Sequence, residues 1–295
     1  MPDGFINLYK EPGPTSHAAV NQVRRLFGMR AVGHMGTLDP AAEGVLPLAV
    51  GRATRLIPLV EGTVKVYRAE LVLGLATDTD DTSGKTMATA DANVVDREIV
   101  SLCLPGFLGQ QVQLPPMFSA VKVAGKKLYE LARRGQVAEI PPREVTVSSL
   151  MLTDWRREGH LAIATLEVEC AKGTYIRALC RDIGQKLGLP ACMGSLLRRQ
   201  SGPFMEKHSV KMDTLALDPL LHLVTINTML ADKPRITLSL SDAKRFLQGQ
   251  RIRVNHGEEK DECPVFCGEL FLGLSQVEAG ILSPTKVMMQ EVELP

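Results

Sequence analysis

The chain has almost no charge imbalance. Its 295 residues carry 34 Lys and Arg against 33 Asp and Glu, a formal net charge of +1, which excludes a protein that holds nucleic acid by bulk charge. Any such site must be a local basic cluster. Long apolar runs are missing too: no stretch approaches a membrane span, and nothing near the N-terminus joins basic residues to a signal-length apolar segment, so a cytoplasmic protein is expected. The six cysteines, Cys103, Cys170, Cys180, Cys192, Cys263 and Cys267, make no metal set. Cys263 and Cys267 are separated by three residues, with no second pair or nearby His to complete a zinc site, and reduced structural thiols are the expectation. The phosphate-cradling G-x-x-x-x-G-K-[ST] pattern is absent, which speaks against a nucleotide-driven enzyme. The most acidic cluster, TDTDDTSG at residues 77–84, fails as a calcium loop. Asp78 and Asp80 suit the first and third positions, but Ser83 replaces the required glycine and Thr89 stands where the glutamate should be, so a solvated turn is expected.

What is present centres on residues 33–55, GHMGTLDPAAEGVLPLAVGRATR. Gly33, Gly36, Pro40, Gly44 and Pro47 punctuate it, and regular structure is not expected there. Leu38, Val45, Leu46, Leu48, Ala49 and Val50 are nearly continuous apolar residues that predict a loop lying on the core. Asp39 is a carboxylate on that floor, and must find a partner. One reading makes Asp39 the N-cap of a helix opened by Pro40. Against it, the glutamate comes one residue too late for a capping box, and Gly44 and Pro47 would stop the helix at once. The local pattern leaves both readings open.

The segment resembles, nearly residue for residue, the signature of the TruB family of tRNA pseudouridine synthases, which isomerise a uridine in the T arm. The resemblance extends over most of the chain. LYKEPGPTS at residues 8–16, KVYR at 65–68, PPMFSAVKVAGKKLYELARRG at 115–135, KGTYIR at 172–177 and GSLLRR at 194–199 each match a family motif. It implies that Asp39 is the nucleophile, that Arg177 is its partner, and that Tyr67 stacks on the extruded uracil. It further implies that His34, Tyr175, Leu197 and Lys122 contact substrate, while Lys10, Gly36 and Thr37 support the loop. The spacing from Arg177 leaves Leu196 as the alternative to Leu197. Aromatic stacking is worth roughly 1 to 3 kcal/mol per base, comparable with the cost of flipping one out. Lys122, Lys126, Lys127, Arg133, Arg134 and Arg143, with Tyr129 among them, form the local basic surface that net charge alone did not supply.

Periodicity predicts a strand at residues 4–10, then a turn feeding a capped helix with Val20, Val23, Leu26 and Phe27 on its core face. A strand at 64–74 carries Tyr67, Ala69, Leu71 and Leu73 inward. A short helix is expected within 92–107, two strands at 145–152 and 161–170 joined by a polar connection at 154–160, and a helix from the KGTYIR motif to about Leu187. Toward the C-terminus, a helix at 241–249 and strands at 271–277 and 280–287 resemble a PUA RNA-binding module. The expectation is therefore an α+β protein: a mixed, largely antiparallel catalytic sheet of pseudouridine synthase type over residues 1–232, and a small β-rich PUA-like domain over 233–295. As a TruB-like enzyme it needs no cofactor or metal, because the reaction is an isomerisation. Its expected partner is the T stem-loop of tRNA, with no membrane or protein partner, and it is expected to act as a monomer. Two rivals are a catalytically silent RNA-binding or RNA-folding protein, disfavoured by intact Asp39, Tyr67 and Arg177, and a metal-assisted hydrolase using Asp78, Asp80 and Asp81, disfavoured by their spacing.

Overall fold

The predicted first strand is β1 (Gly4–Lys10), almost wholly buried, in a computed structural model that describes residues 2–119, 122–123, 126–128, 140–254 and 260–289. The turn after it delivers Thr15, whose hydroxyl accepts from Ala18 N–H and caps the helix Ser16–Phe27. Ala19, Val20 and Val23 are buried on its core face, and Gly28, left-handed at φ 61°, closes it. The signature segment is more regular than its glycines and prolines suggested. It supplies β2 (Val32–His34) and the fully cored β3 (Glu43–Val50), so only residues 35–42 are irregular. Pro47 sits in β3 without loss because its carbonyl, not an N–H, is what neighbouring Met35 uses.

Next come β4 (Val64–Leu73), the hairpin β5 (Leu75–Thr77) and β6 (Thr86–Thr89), and the helix Arg97–Cys103 capped by Asp96. β7 (Gly109–Gln113) leads to a two-stranded ribbon, β8 (Lys122–Val123) and β9 (Lys126–Lys127). Tyr129, Arg133 and Arg134 lie outside the described residues. β10 (Arg143–Glu158) runs straight through the stretch expected to be a polar connection, turns at Gly159 and His160, and returns as β11 (Leu161–Ala171). Two bulges twist it, and its polar end is anchored by Arg157, which donates to the carbonyls of Ala92 and Val95. The helix Ile176–Lys186 precedes β12 (Ala191–Ser201), followed by β13 (Phe204–Met205), β14 (Val210–Lys211) and β15 (Val224–Thr225).

Apart from the pairs β5-β6 and β8-β9, these strands make one mixed sheet in the order β14-β1-β3-β12-β4-β11-β10-β7, with β2, β13 and β15 pairing β3, β12 and β1 off that path. All pairs along that order are antiparallel except β14 with β1 and β3 with β12. The parallel join matters, because it sets β3, which follows the Asp39 loop, beside β12 in the middle of the sheet.

A second sheet, ordered β16-β18-β19-β20-β17, contains β16 (Ile236–Thr237), β17 (Ile252–Arg253), β18 (Lys260–Cys267), β19 (Leu270–Glu278) and β20 (Ile281–Val287). The helix Leu240–Leu247, capped by Ser239, packs Ala243 and Phe246 into its core. The two sheets share an apolar cluster in which Phe266, Leu274 and Met288 meet Phe5, Ala49, Leu56 and Met35. Arg52 and Arg55 donate to the carbonyls of Met288 and Val287 across the same seam. Met35 immediately precedes Gly36, so the small sheet buttresses the loop from behind.

Candidate active site

Asp39 heads no helix: it lies in the irregular segment between β2 and β3, followed by a turn closed by Ala42 N–H on its carbonyl. The loop is held from three directions. Ser16 Oγ both accepts from Leu38 N–H and donates to Leu38 C=O at 2.8 Å. Lys10, 2% exposed, donates to the carbonyls of Pro40 at 3.0 Å and Ala42 at 2.7 Å. Burial holds the Lys10 ammonium down at about 8, with Asp39 opposing and Arg198 reinforcing that shift. On the other side Arg198, 1% exposed, donates Nε to Val45 C=O at 2.7 Å, Nη1 to Thr37 C=O at 3.2 Å and Nη2 to Gly36 C=O at 3.1 Å. The carbonyls of Gly36, Thr37, Leu38, Pro40 and Ala42 are thus engaged by a cation or hydroxyl from β1, the first helix or β12, and the carboxylate is aimed by its own main chain.

Arg177, at the start of the helix Ile176–Lys186 and 5% exposed, places Nε 3.0 Å from Asp39 Oδ2. Its Nη1 and Nη2 donate to the carbonyls of Thr79 and Phe118, each at 2.9 Å. Those bonds fix the guanidinium plane, leaving Nε free to face the acid. Asp81 Oδ2 lies 3.8 Å from the same Nε. The acidic cluster is therefore not the solvated turn expected. Its backbone is stitched to Met193 of β12 through Thr82 N–H and Asp80 C=O, and Asp80 pairs with Arg181 at 2.8 Å. Burial pushes the Asp80 carboxyl upward, while Arg181 opposes it. Asp81 accepts from Thr79 and from the Ser83 N–H and hydroxyl. The carboxylates meant for a metal in the hydrolase reading are spent on arginines and backbone donors.

A cavity of about 260 Å³ opens in front of Asp39, lined by Gly36, Thr37, Tyr67, Tyr175, Leu196 and Arg198, with Glu61, Lys65, Lys172 and Arg177 around them. Tyr67 reaches it from β4, 8% exposed, and burial raises its phenol above the ordinary value, keeping it neutral. Strand parity decides between the two leucines. Leu196 pairs with Ala69 and Arg198 with Tyr67, whereas Leu197 pairs with Arg68. Paired residues share a face, so Leu196 lines the cavity and Leu197 points with Arg68 to the other side. The assignment of Leu197 to the pocket is corrected to Leu196.

Tyr175 stands at the N-cap of the Arg177 helix. Its main chain is clamped by buried Gln113, which accepts from Tyr175 N–H at 2.8 Å and donates to its carbonyl at 3.0 Å. Gly36 takes φ +91°, and Thr37 is exposed at the cavity rim. His34 does not line the cavity. Its Nδ1 is buried without a hydrogen-bond partner among the described residues, and burial, with Arg198 nearby, lowers its basicity. Lys122 opens the short ribbon, but the position of its side chain lies outside the described residues. Three participants were not assigned these roles from sequence: Arg198, Gln113 and Asp81. Arg198 left a trace there as the first arginine after the disputed leucine, and Asp81 only as a member of the acidic cluster in the hydrolase reading.

Three family descriptions match the chain in succession: TruB family pseudouridylate synthase (N terminal domain) over residues 24–176, tRNA pseudouridylate synthase B C-terminal domain over 177–222, and Pseudouridine synthase II TruB, C-terminal, over 234–288. The chain is 46% identical over 247 residues to a protein of Symbiobacterium thermophilum named tRNA pseudouridine synthase B, covering 84% of this chain and 82% of that one. It is 43% identical over 294 residues to a protein of the same name from Gloeobacter violaceus, covering 97% and 99%. Among solved structures it resembles a chain of an H/ACA ribonucleoprotein bound to a substrate RNA containing 2'-deoxyuridine, with TM-score 0.72 and 22% identity over 99% of this chain and 87% of that one. A chain of a Cbf5-Nop10-Gar1 complex matches with TM-score 0.72 and 23% identity, over 98% and 86%.

Proposed function

Since the chain belongs to the TruB family of pseudouridylate synthases, we propose that it converts uridine 55 in the T arm of tRNA to pseudouridine, with Asp39 as the nucleophile. The reaction breaks the bond from C1′ of the ribose to N1 of uracil and makes one from C1′ to C5. The C5 proton leaves and N1 regains one, so atoms and charge balance without cofactor or metal.

One observation carries this reading: a carboxylate held 3.0 Å from a buried guanidinium faces a cavity with a tyrosine ring in its wall. The Arg177 contact fixes the direction in which the Asp39 carboxylate, the nucleophile of this reading, faces the cavity. The Tyr67 ring offers a face on which an extruded base stacks, and Leu196 gives an apolar contact beside it. A base seated in the cavity displaces the water that would otherwise trap it once detached. Tyr175 and the lysines flanking the cavity serve the RNA around that nucleotide. Residues 233–295 serve as an added RNA-binding domain, and the enzyme works in the cytoplasm as a monomer on tRNA alone.

The test is pseudouridine formation in a T-arm hairpin by wild type and Asp39→Asn. The expected result is product from the wild type, and RNA binding without product from the variant. Unchanged product formation by Asp39→Asn refutes the nucleophile assignment. Binding without product by the wild type itself would favour the silent RNA-binding reading.

A further inference from the structure

Building on the reading that an extruded uridine enters the cavity, we propose that Lys65 is a phosphate-binding residue of the substrate site, engaging a phosphodiester that flanks that nucleotide from within the cavity wall. Lys65 is 4% exposed yet lines the cavity. An ammonium has three donors. One goes to Ser201 Oγ at 2.7 Å, and Glu61 Oε1, at 3.9 Å, is beyond hydrogen-bonding distance. A buried cation so thinly partnered is costly by itself. Burial, with repulsion from Arg198 and Lys172, brings its pKa down to about 8.

The space before it is kept open. Gly36 takes φ +91°, and a Cβ there would stand 3.7 Å from Lys65 Nζ, 3.6 Å from Glu61 Oε1 and 3.5 Å from Arg198 Nη1. The backbone conformation disfavours a side chain at this point, and a Cβ there would sit in contact with all three charged heads.

Placement and charge then name the ligand group. Lys65 and Tyr67 lie on one face of β4, two residues or ~6.6 Å apart along the strand. In a nucleotide, the sugar separates the base from its phosphates. A cation one sugar's width from the stacking ring is therefore set for the phosphate, not the base. Uracil is neutral, and the phosphodiester carries the nucleotide's only formal charge. The cavity wall sets Lys65, Lys172, Arg177 and Arg198 against Asp39 and Glu61, an excess of positive charge that an incoming phosphate would offset.

The experiment measures binding of a T-arm hairpin across salt concentrations for wild type, Lys65→Met and Ser201→Ala. It repeats the measurement with a methylphosphonate replacing either phosphate flanking the target uridine. Lys65→Met should weaken binding about 10-fold and reduce the salt slope by roughly 0.7 to 1. Ser201→Ala, which keeps the charge, should leave that slope in place. One of the two methylphosphonates should weaken wild type but not Lys65→Met. An unchanged salt slope, or penalties that simply add, would overturn the proposal and leave Lys65 as a tie between Ser201 and Glu61. If Lys65→Met does not fold, wild type alone decides: the methylphosphonate penalty should fade as pH rises past about 8, and a pH-independent penalty counts against Lys65. Failure of the isomerase reading would show differently, as no pseudouridine from wild type on the unmodified hairpin.

Discussion

Replacing Arg198 with Met tests whether the Asp39 loop is held by its carbonyls. Met retains much of the apolar stem but removes all three hydrogen bonds. Hydrogen bonds to a charged group contribute about 1.5 to 3 kcal/mol each, and an orphaned buried acceptor costs about 1 to 3 kcal/mol. The three acceptors are not equal. Val45 lies in a fully buried stretch of β3, so its carbonyl has no recourse to water, while Gly36 and Thr37 border the cavity and can rehydrate. The cost should therefore be dominated by the Val45 bond, at about 2 to 4 kcal/mol in urea unfolding. Activity should fall further than stability does, because a displacement of ~1 Å at a reacting group can cost about 10²-fold in rate. Single-turnover pseudouridine formation at saturating enzyme reads that loss as a rate, separate from binding. Arg198 also depresses the basicity of Lys65 and His34, so both should titrate higher in the variant, and the His34 ring signal in proton NMR would report it. A variant within about 0.5 kcal/mol of wild type and with unaltered turnover would refute the loop-clamp reasoning.

Gln113→Leu should strip the Tyr175 main chain of both its partners, lowering stability by about 1 to 2 kcal/mol and raising KM more than it lowers kcat; an effect on kcat alone would contradict the clamp. For pH, Lys10 and Lys65 have folded values of about 8 against 10.5 for the free side chain. Below about 8 both states hold the proton and the cost of burying it is constant; between 8 and 10.5 the unfolded chain binds more protons, so stability should rise with pH there. The urea midpoint of wild type relative to Lys65→Met should climb across that window, and parallel curves would refute the contribution from Lys65. Burial raises the Cys170 thiol to about 11 and the Cys192 thiol to about 12, and Cys180 is also raised. A disulfide reagent should therefore modify Cys103 and Cys267, the half-buried pair, well before the others; equal rates for all six would show that the core opens readily.

Local chemistry was legible wherever one segment decides it. The cap at Thr15, the inward phase of Tyr67 to Leu73 on β4, and the C-terminal helix and strands all follow from patterns spanning a few residues, because capping and alternation are short-range effects. The motif at residues 33–55 was legible as a loop with an acid on an apolar floor, and the coordinates set that acid against Arg177, the residue the resemblance paired with it. Everything that depends on register or on distant partners was not. A single-residue difference in strand phase moves a side chain across the sheet, and only the pairing of β12 with β4 told Leu196 from Leu197. Gln113 lies 62 positions from Tyr175 and Arg198 lies 162 from Gly36, separations over which no local pattern predicts contact. The acidic turn read as solvated because its composition is that of a solvated turn; Arg177, Arg181 and the β12 backbone gave it an interior. The sequence by itself determined which groups the protein owns and the local shape of most segments. Tertiary structure alone decided which of those groups share one cavity, because that depends on how β3 and β12 join in parallel across the middle of the sheet.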